Sequence, residues 1–168
     1  MATDHSATIR SATETDCPVI NDIYNYYVDT STCTYQIAWT SAEERVEWFR
    51  SHTSRQPIFV AEISGRVVGW ASLSPFRPRE GYRHTVENSI YIHPEFQRRG
   101  LGAILLERLI ASATELGYHA IIAGVDGEQT ASIRIHEKYG FKTVGILPQV
   151  GFKFDRWLDV YFMQKLLG

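Results

Sequence analysis

The stretch from residue 85 to residue 106 constrains the fold more than any other part of this chain. Its first part, T-V-E-N-S-I-Y-I, alternates between two faces and predicts a β-strand. A turn containing Pro94 follows, then a basic glycine loop, Q-R-R-G-L-G, and an apolar helix that begins at about Leu101. Backbone N–H groups converge where a glycine loop enters a helix, and the helix dipole favours an anion there. The stretch therefore predicts a site for the pyrophosphate of a nucleotide-like ligand.

The glycine loop does not have the features of a nucleotide hydrolase. No G-K-[ST] follows its glycines, so it offers neither a lysine that reaches a phosphate nor a hydroxyl that binds Mg²⁺. For an isolated R-x-G-x-G pattern, a basic turn that only caps a helix is the structural alternative.

Length and composition exclude several classes of protein. The 168 residues suit one domain, which we place at 1–168, and a net charge of −2 argues against a nucleic-acid-binding protein. No apolar run approaches the roughly 20 residues of a membrane span. The N-terminus, M-A-T-D-H-S-A-T, lacks the apolar core of a signal peptide. We therefore expect a cytoplasmic protein without membrane or nucleic-acid partners.

The cysteines and histidines do not have metal-site spacing. Cys17 and Cys33 form no C-x-x-C pair, and the scattered histidines form no H-x-x-x-H pair. We expect reduced thiols and no metal.

The rest of the chain alternates between strand and helix signals. Ser41 and Glu44 form a capping box at a helix start, and Ser64-Gly65 joins two β-rich runs as a hairpin. The predicted strands are 7–12, 58–63, 66–73, 85–92, 120–125, 142–147 and 157–165, the predicted helices are 18–27, 41–52, 101–116 and 130–139, and the irregular segments include 28–35 and 148–156. The order β-α-α-β-β-β-α-β-α-β-β predicts an α/β fold with helices on both faces of one mixed sheet.

Several motifs together resemble the GCN5-related N-acetyltransferases (GNAT), and within them the phosphinothricin acetyltransferase group. Besides Q-R-R-G-L-G, they are S-I-R-I-H-E-K-Y-G-F at 132–141, S-T-C-T-Y at 31–35, T-V-E-N-S-I-Y-I at 85–92 and G-F-K-F-D-R-W-L-D-V at 151–160. The resemblance extends over nearly the whole chain. It implies a GNAT fold with a mostly antiparallel central sheet. It also implies acetyl-CoA as co-substrate and acetylation of the α-amine of a small amino-acid-like acceptor, such as phosphinothricin or methionine sulfoximine.

The resemblance further implies how acetyl-CoA is held. Backbone amides of the glycine loop would bind the pyrophosphate, and strand backbone would pair with the pantetheine arm and polarise the thioester carbonyl. The implied cofactor-binding residues are Ile90, Tyr91, Ile92, Gln97, Arg98, Arg99, Gly100, Leu101, Gly102, Gln129 and Ser132. The family usually carries Asn at position 129, and Gln keeps the amide group on a longer side chain.

Two residues are implied as catalytic, Glu87 and His136. An amine is mostly protonated at neutral pH and must lose a proton before it attacks a thioester, which a partly buried carboxylate can accept. Glu87 matches the family's catalytic Glu. His136 stands where most of the superfamily has Tyr, and would reprotonate the CoA thiolate or join Glu87 in a proton relay. The alternatives are a salt-bridged strand carboxylate and a helix histidine that bonds a backbone carbonyl.

Basic and aromatic residues before Glu87 suggest how an anionic acceptor is bound. Guanidinium groups match carboxylate or phosphinate oxygens bidentately, although a solvated basic loop is the alternative. The implied substrate-binding residues are Tyr35, Arg77, Arg79, Tyr82 and Lys153. The family places the segment around Lys153 at a subunit boundary, so the resemblance also implies a homodimer.

Two other functions stay open from the sequence. A protein N-terminal or lysine acetyltransferase would need an open groove. A non-catalytic acyl-CoA sensor would keep the glycine loop but would not need Glu87 together with His136.

Overall fold

A computed structural model describes residues 7–168 and shows one seven-stranded sheet between two layers of helices. The strands are β1 (Thr8–Ser11), β2 (Ile58–Ile63), β3 (Arg66–Pro75), β4 (Thr85–Ile92), β5 (Ala120–Asp126), β6 (Lys142–Lys153) and β7 (Arg156–Leu166). The helices are α1 (Cys17–Thr30), α2 (Ala42–Ser51), α3 (Leu101–Glu115) and α4 (Thr130–Lys138), with 3-10 turns at Glu14–Asp16, Glu80–Tyr82 and Pro94–Phe96. The predicted order of strands and longer helices is confirmed.

The sheet follows the order β1-β2-β3-β4-β5-β7-β6. All neighbouring strands are antiparallel except β4 and β5, which run parallel, so the predicted mixed and mostly antiparallel sheet is confirmed. The β4–β5 ladder pairs Thr85 with Ala120 and ends where Glu87 pairs with Ile122. Both strands continue beyond that pair without bonding each other, so they open a gap in the middle of the sheet.

Each face of the sheet buries its own apolar cluster. On one face, Leu105 and Leu109 of α3 are fully buried against strand residues such as Ile121. On the other face, Ile20 and Ile23 of α1 lie in a cluster that includes Trp70. Burying one side of each helix in this way supplies most of its stability, because apolar surface leaves water.

Local signals predicted two features correctly. The Ser41 Oγ atom accepts a hydrogen bond from the Glu44 N–H at 3.1 Å, and the Glu44 carboxylate accepts one from the Ser41 N–H at 2.7 Å. Ser64 and Gly65 have φ angles of 51° and 79°, the left-handed conformations that a two-residue hairpin requires.

The prediction that 28–35 is a loop was wrong for its first residues. α1 continues to Thr30, and Ser31 then turns to an extended conformation. Val28 is β-branched, which argued against a helix, but it is buried in the fold. Tertiary burial outweighs a weak helix propensity here.

The prediction that 148–156 is irregular was wrong except at residues 154 and 155. β6 continues through a register shift between Leu147 and Gly151 and reaches Lys153. Phe154 and Asp155, with φ angles of 52° and 57°, then form a two-residue turn into β7. This turn lacks the Asn-Gly or Asp-Gly pattern of two-residue hairpins, so no local pattern predicted it.

Candidate active site

The gap between β4 and β5 opens into a cavity of about 510 Å³. It continues along the glycine loop to the starts of α3 and α4. Of the predicted site residues, the cavity lining includes Glu87, Ile90, Tyr91, Ile92, Gln97, Arg98, Gly100, Leu101, Gly102, Gln129, Ser132 and His136. Folding therefore brings both predicted catalytic residues and most of the predicted cofactor residues to one cavity.

The glycine loop presents its backbone N–H groups to this cavity. Arg98 and Gly100 have φ angles of 62° and 80°, which turn the chain sharply before α3 begins at Leu101. Within the part of the chain that the structure describes, the N–H groups from Arg98 to Gly102 have no hydrogen-bond partner. Free N–H groups at a helix start fit a phosphate or pyrophosphate without any protein group having to move.

Glu87 lies where the two strands separate. Its side chain reaches over β5, because a Cβ atom placed on Gly124 would lie 3.3 Å from Glu87 Oε1. Among the described residues its carboxylate has no hydrogen-bond or ion-pair partner, and burial raises its pKa, with Arg77 acting in the opposite direction. An unpaired, half-buried carboxylate of raised pKa is suited to accept a proton from a ligand.

His136 of α4 is held by hydrogen bonds at both ring nitrogens. Its Nδ1 atom lies 2.8 Å from the carbonyl oxygen of Ser132, and since a carbonyl only accepts, Nδ1 carries the hydrogen. Burial lowers the pKa of His136, so the ring is neutral and Nε2 is an acceptor. That acceptor receives the Asn88 side-chain N–H at 2.9 Å. This geometry leaves the ring without a proton directed into the cavity.

The contact with His136 fixes which way the Asn88 amide points. Its Nδ2 atom faces the ring, so its Oδ1 atom faces away and is buried without a partner in the residues described. An unpaired buried oxygen is costly, and Asn88 lines the cavity, so a ligand N–H or S–H would satisfy it. The residues present therefore fit a ligand that has both a pyrophosphate and an amide-containing arm.

A buried carboxylate joins the end of β5 to the segment that follows α1. Asp126 accepts hydrogen bonds from the Thr32 hydroxyl at 2.8 Å and the Tyr35 hydroxyl at 2.6 Å. Gln129 donates to the Thr32 hydroxyl at 3.1 Å. Burial, and next the hydrogen bond to Asp126, raise the pKa of Tyr35. Tyr35 and Gln129 thus hold this segment against β5. Of these two predicted residues, Gln129 lines the cavity and Tyr35 does not.

The predicted residues of the arginine loop lie outside the cavity lining. Arg77 stacks on Phe76 at 5.1 Å, and Tyr82 packs edge-on against the same ring at 5.7 Å. Arg79 precedes the 3-10 turn and is exposed. The guanidinium group of Arg99 lies over Phe96, 4.7 Å from the ring centre, and the cofactor-binding role of its backbone N–H stays a prediction.

Lys153 was predicted to bind the substrate, but its side chain is buried and bonded to backbone carbonyl groups. Its ammonium group donates to the carbonyl oxygens of Ser31 at 2.7 Å, Thr34 at 2.8 Å and Tyr27 at 3.4 Å. These carbonyls lie at and just beyond the end of α1, where the helix dipole favours a cation. Lys153 therefore anchors the β6–β7 hairpin to α1, with its three donors in use.

Asn88 and Tyr27 are among the cavity-lining residues that were not predicted for the site. Asn88 is a polar residue on the apolar face of β4, and this break in the alternation was a usable signal. Tyr27 donates its hydroxyl to the Ile92 carbonyl and accepts from Gln97. No sequence pattern connects Tyr27 with these two residues, which are distant along the chain.

Two other kinds of feature are absent from residues 7–168. No group of three or more His, Cys, Asp or Glu side chains could hold a metal ion there. No helix in this range has the length and apolar character needed to cross a membrane.

The sheet thus opens beside a loop of unpaired N–H groups, an arrangement that can hold a pyrophosphate-bearing ligand between two parting strands. Residues 20–141 match the family model of the acetyltransferase (GNAT) family. The chain therefore belongs to the GNAT family, and the predicted fold class is confirmed.

Individual relatives match almost the full length of the chain. The L-amino acid N-acyltransferase MnaT of Escherichia coli is 42% identical over 95% of this chain and 93% of its own. The L-methionine sulfoximine/L-methionine sulfone acetyltransferase of Salmonella typhimurium is 41% identical over 95% and 94%. A crystal structure of a phosphinothricin acetyltransferase from Sinorhizobium meliloti in complex with acetyl-CoA superposes with a TM-score of 0.94, at 39% identity over 96% and 89%.

Proposed function

We propose that this protein transfers the acetyl group of acetyl-CoA to the α-amine of a small amino-acid acceptor. The observation that carries the proposal is the unpaired, half-buried carboxylate of Glu87 at the point where β4 and β5 separate. The relatives named above act on small amino acids, which supports this choice of acceptor.

Bound acetyl-CoA supplies the acetyl group as a thioester, and the chain's residues hold it and manage the proton. The N–H groups of the glycine loop would bind the pyrophosphate, and Asn88 Oδ1 would accept a hydrogen bond from the arm or the thiol. Glu87 would remove a proton from the acceptor's ammonium group, which leaves the amine able to attack. Glu87 holds this first proton while the new amide bond forms. The C–S bond of the thioester would break in the same reaction, and the departing CoA thiolate would take up the second proton that the amine nitrogen loses.

His136 serves this reaction as a positioning residue. Its Nδ1 hydrogen is committed to Ser132 and its Nε2 lone pair to Asn88. Release of the Nδ1 proton from this neutral ring would leave the Ser132 carbonyl without its donor, so we assign His136 to the orientation of Asn88.

We infer that two copies of the chain associate through the β6–β7 hairpin. β6 is an edge strand, and the hairpin exposes large apolar side chains, among them Val150, Phe152 and Trp157. Such an edge is an aggregation risk unless a partner covers it. A second copy covers it with matching apolar surface.

We also propose a cytoplasmic location, supported by the free thiols of Cys17 and Cys33.

The test of the reaction is release of CoA from acetyl-CoA, measured across a panel of free amino acids and peptides. We expect turnover with small amino acids, and Glu87→Gln should lower kcat/KM by about 10²- to 10⁴-fold while acetyl-CoA binding stays unchanged. Glu95→Gln is the matched control, because Glu95 is an exposed carboxylate that also precedes the glycine loop in the sequence. Tight acetyl-CoA binding without turnover of any acceptor would show a sensor instead of an enzyme.

A further inference from the structure

A second cavity, of about 400 Å³, lies on the face of the sheet that α1 and α2 cover. Two cross-strand pairs of β3 and β4 form its floor, Trp70 with Tyr91 and Ser72 with Ser89. Residues of α1, α2 and the segment between them form its walls. The proposed base, Glu87, does not line it.

This cavity is separate from the place where the acceptor's amine would react. Ser74, the partner of Glu87 across β3 and β4, is the lining residue at that end of the cavity. At a rise of about 3.4 Å per residue, Trp70 lies about 14 Å along β3 from Ser74. That distance exceeds the length of a small amino-acid acceptor. A ligand held beside Trp70 is therefore not the molecule that is acetylated.

A buried arginine with unused donors lines the cavity at the Trp70 end. Arg45 of α2 is 4% exposed, and its guanidinium group lies 4.6 Å from the ring centre of Trp48 and 5.7 Å from that of Trp70. Its Nε atom donates to Asn21 Oδ1 at 3.1 Å, and its terminal nitrogens have no hydrogen-bond partner among the described residues. The aromatic rings stabilise the charge through space, but the N–H bonds of a guanidinium group still need acceptors.

The charge of Arg45 has no carboxylate partner in the part of the chain that the structure describes. None of the ion pairs there includes this residue. The acidic residue of the lining, Glu44, is exposed, and its Oε2 accepts the Ser41 N–H at 2.7 Å. A buried cation without a paired anion is costly, because burial removes it from water. An anion in the cavity would offset this cost.

The floor of the cavity supplies further donors. Trp70 is 2% exposed, and its indole Nε1 has no hydrogen-bond partner within the described residues. Ser72 is also 2% exposed, and neither its hydroxyl nor that of Ser89 bonds to another described residue. Buried donors are paired in nearly all folded proteins, so this set fits a ligand that offers several acceptor oxygens.

We propose that the second cavity binds a small oxyanion that is not acetylated, held by the terminal nitrogens of Arg45 with the Ser72 hydroxyl and the Trp70 indole N–H as further donors. Carboxylate, sulfate and phosphate groups all match the edge of a guanidinium group with two parallel hydrogen bonds. The shared chemistry is thus a negative group with at least two oxygens, either inorganic or on an organic acid. Ser89 and Tyr91 line both cavities, so this ligand would lie directly across β4 from the acyl donor.

Indole N–H signals in a two-dimensional NMR spectrum test this site without any use of activity. The chain has four tryptophans, of which Trp48 and Trp70 line the cavity, whereas Trp39 and Trp157 are exposed elsewhere. Sulfate and benzoate are titrated separately, with CoA present to occupy the glycine loop and with chloride at matched ionic strength as the blank. We expect the Trp70 signal to move saturably with sulfate, benzoate or both, because its N–H gains an acceptor. The signals of Trp39 and Trp157 should stay in place.

Two substitutions locate the anion within the cavity. Arg45→Gln removes the charge and should raise the dissociation constant of the anion about tenfold or more. Arg50→Gln is the matched control, since Arg50 lies on the same helix but is exposed and pairs with Glu14. Ser72→Ala removes one hydroxyl and should weaken binding about threefold to fivefold. Thermal melting checks that each variant folds, and Ser72→Ala decides the question if Arg45→Gln does not.

Response to sulfate supports an inorganic oxyanion as ligand, and response to benzoate alone supports an organic acid. A Trp70 signal that moves with neither anion, or that moves only in step with all the other indole signals, would overturn the site. So would a dissociation constant that is unchanged in both Arg45→Gln and Ser72→Ala. Displacement of the bound anion by methionine sulfone would show that the cavity belongs to the acceptor, which also overturns the inference. None of these outcomes depends on turnover, so the site is tested separately from the proposed reaction.

Discussion

Neighbouring residues of β4 divide the proposed chemistry between the two faces of the sheet. Glu87 is paired with Ser74. By the alternation of the strand it belongs to the same face of β4 as Ser89 and Tyr91, which is the face covered by α1 and α2. Asn88 points the other way and bonds to His136 of α4. Because successive side chains of a strand alternate between faces, the proposed mechanism would handle the acceptor's proton and the donor's arm on opposite sides of the sheet.

The fall of kcat/KM at low pH should depend on Arg77. Glu87 must be ionised to accept a proton, and the charge of Arg77 lowers the pKa that burial raises. Arg77→Gln removes that charge and favours the protonated form. The acid limb of kcat/KM should therefore move to higher pH.

A matched variant distinguishes this effect from a general loss of charge in the loop. Arg83 is exposed in the same loop, and Arg83→Gln should leave the acid limb where it is. An acid limb that does not move in Arg77→Gln would disprove the coupling between Arg77 and Glu87.

The fall of kcat at high pH distinguishes two roles for His136, orientation of Asn88 and action as the acid. If His136 orients Asn88, His136→Phe should raise the KM for acetyl-CoA several-fold, because Asn88 loses its fixed direction. The basic limb of kcat should stay unchanged. His136→Gln can still accept from Asn88 and should recover part of the loss. Disappearance of the basic limb in both variants would instead establish His136 as the acid.

At the scale of secondary-structure elements, one lysine connects two distant parts of the chain. Lys153, at the end of β6, bonds to carbonyl oxygens at the end of α1. Tyr35 packs on Gly151 of the same strand, where a Cβ atom would lie 2.3 Å from its ring, and bonds to Asp126. The hairpin therefore fixes the segment that follows α1, which includes residues of the second cavity.

Removal of that lysine should cost stability more than catalysis. Lys153→Met leaves three carbonyls with one donor fewer each, and we expect the free energy of unfolding to fall by about 2 kcal/mol. Urea denaturation measures this loss. Lys142→Met on the exposed start of β6 should change it by less than about 0.5 kcal/mol. An equal effect of the two substitutions would show that the anchor contributes nothing.

At the scale of the whole molecule, the sheet is asymmetric at its two edges. β1 is short, whereas β6 is long and carries exposed apolar side chains. Short edge strands resist pairing with other chains, and long apolar ones promote it. The proposed dimer accounts for this asymmetry, since only the β6 edge needs a cover.

The dimer should come apart when charge is placed on that edge. Val150→Asp would bury a carboxylate in the interface, and we expect the dissociation constant to rise by about a hundredfold or more. Sedimentation over a range of protein concentrations measures it. Ile37→Asp is the control, because Ile37 is equally apolar and exposed but lies in the segment after α1. A wild type that sediments as a monomer at every concentration would rule out the dimer.

Short sequence patterns were enough to predict the features whose residues lie close together along the chain. The alternation of β4, the glycine loop and the start of α3 are adjacent along the chain, so their order and their anion-binding character follow from the residues themselves. The capping box at Ser41 and the hairpin at Ser64-Gly65 are equally local. The family motifs extended this reading to the reaction and to Glu87.

Only the tertiary structure decided the contacts that join distant segments. Arg45 meets Trp70, Asn88 meets His136, and Lys153 meets the end of α1 because the sheet order brings their strands and helices together. No short pattern encodes such pairs, since burial and packing select them across many residues of chain. That is why the stretch at 85–106 predicted the donor site, whereas the second cavity, its unpaired donors and the protonated nitrogen of His136 became visible only in the folded chain.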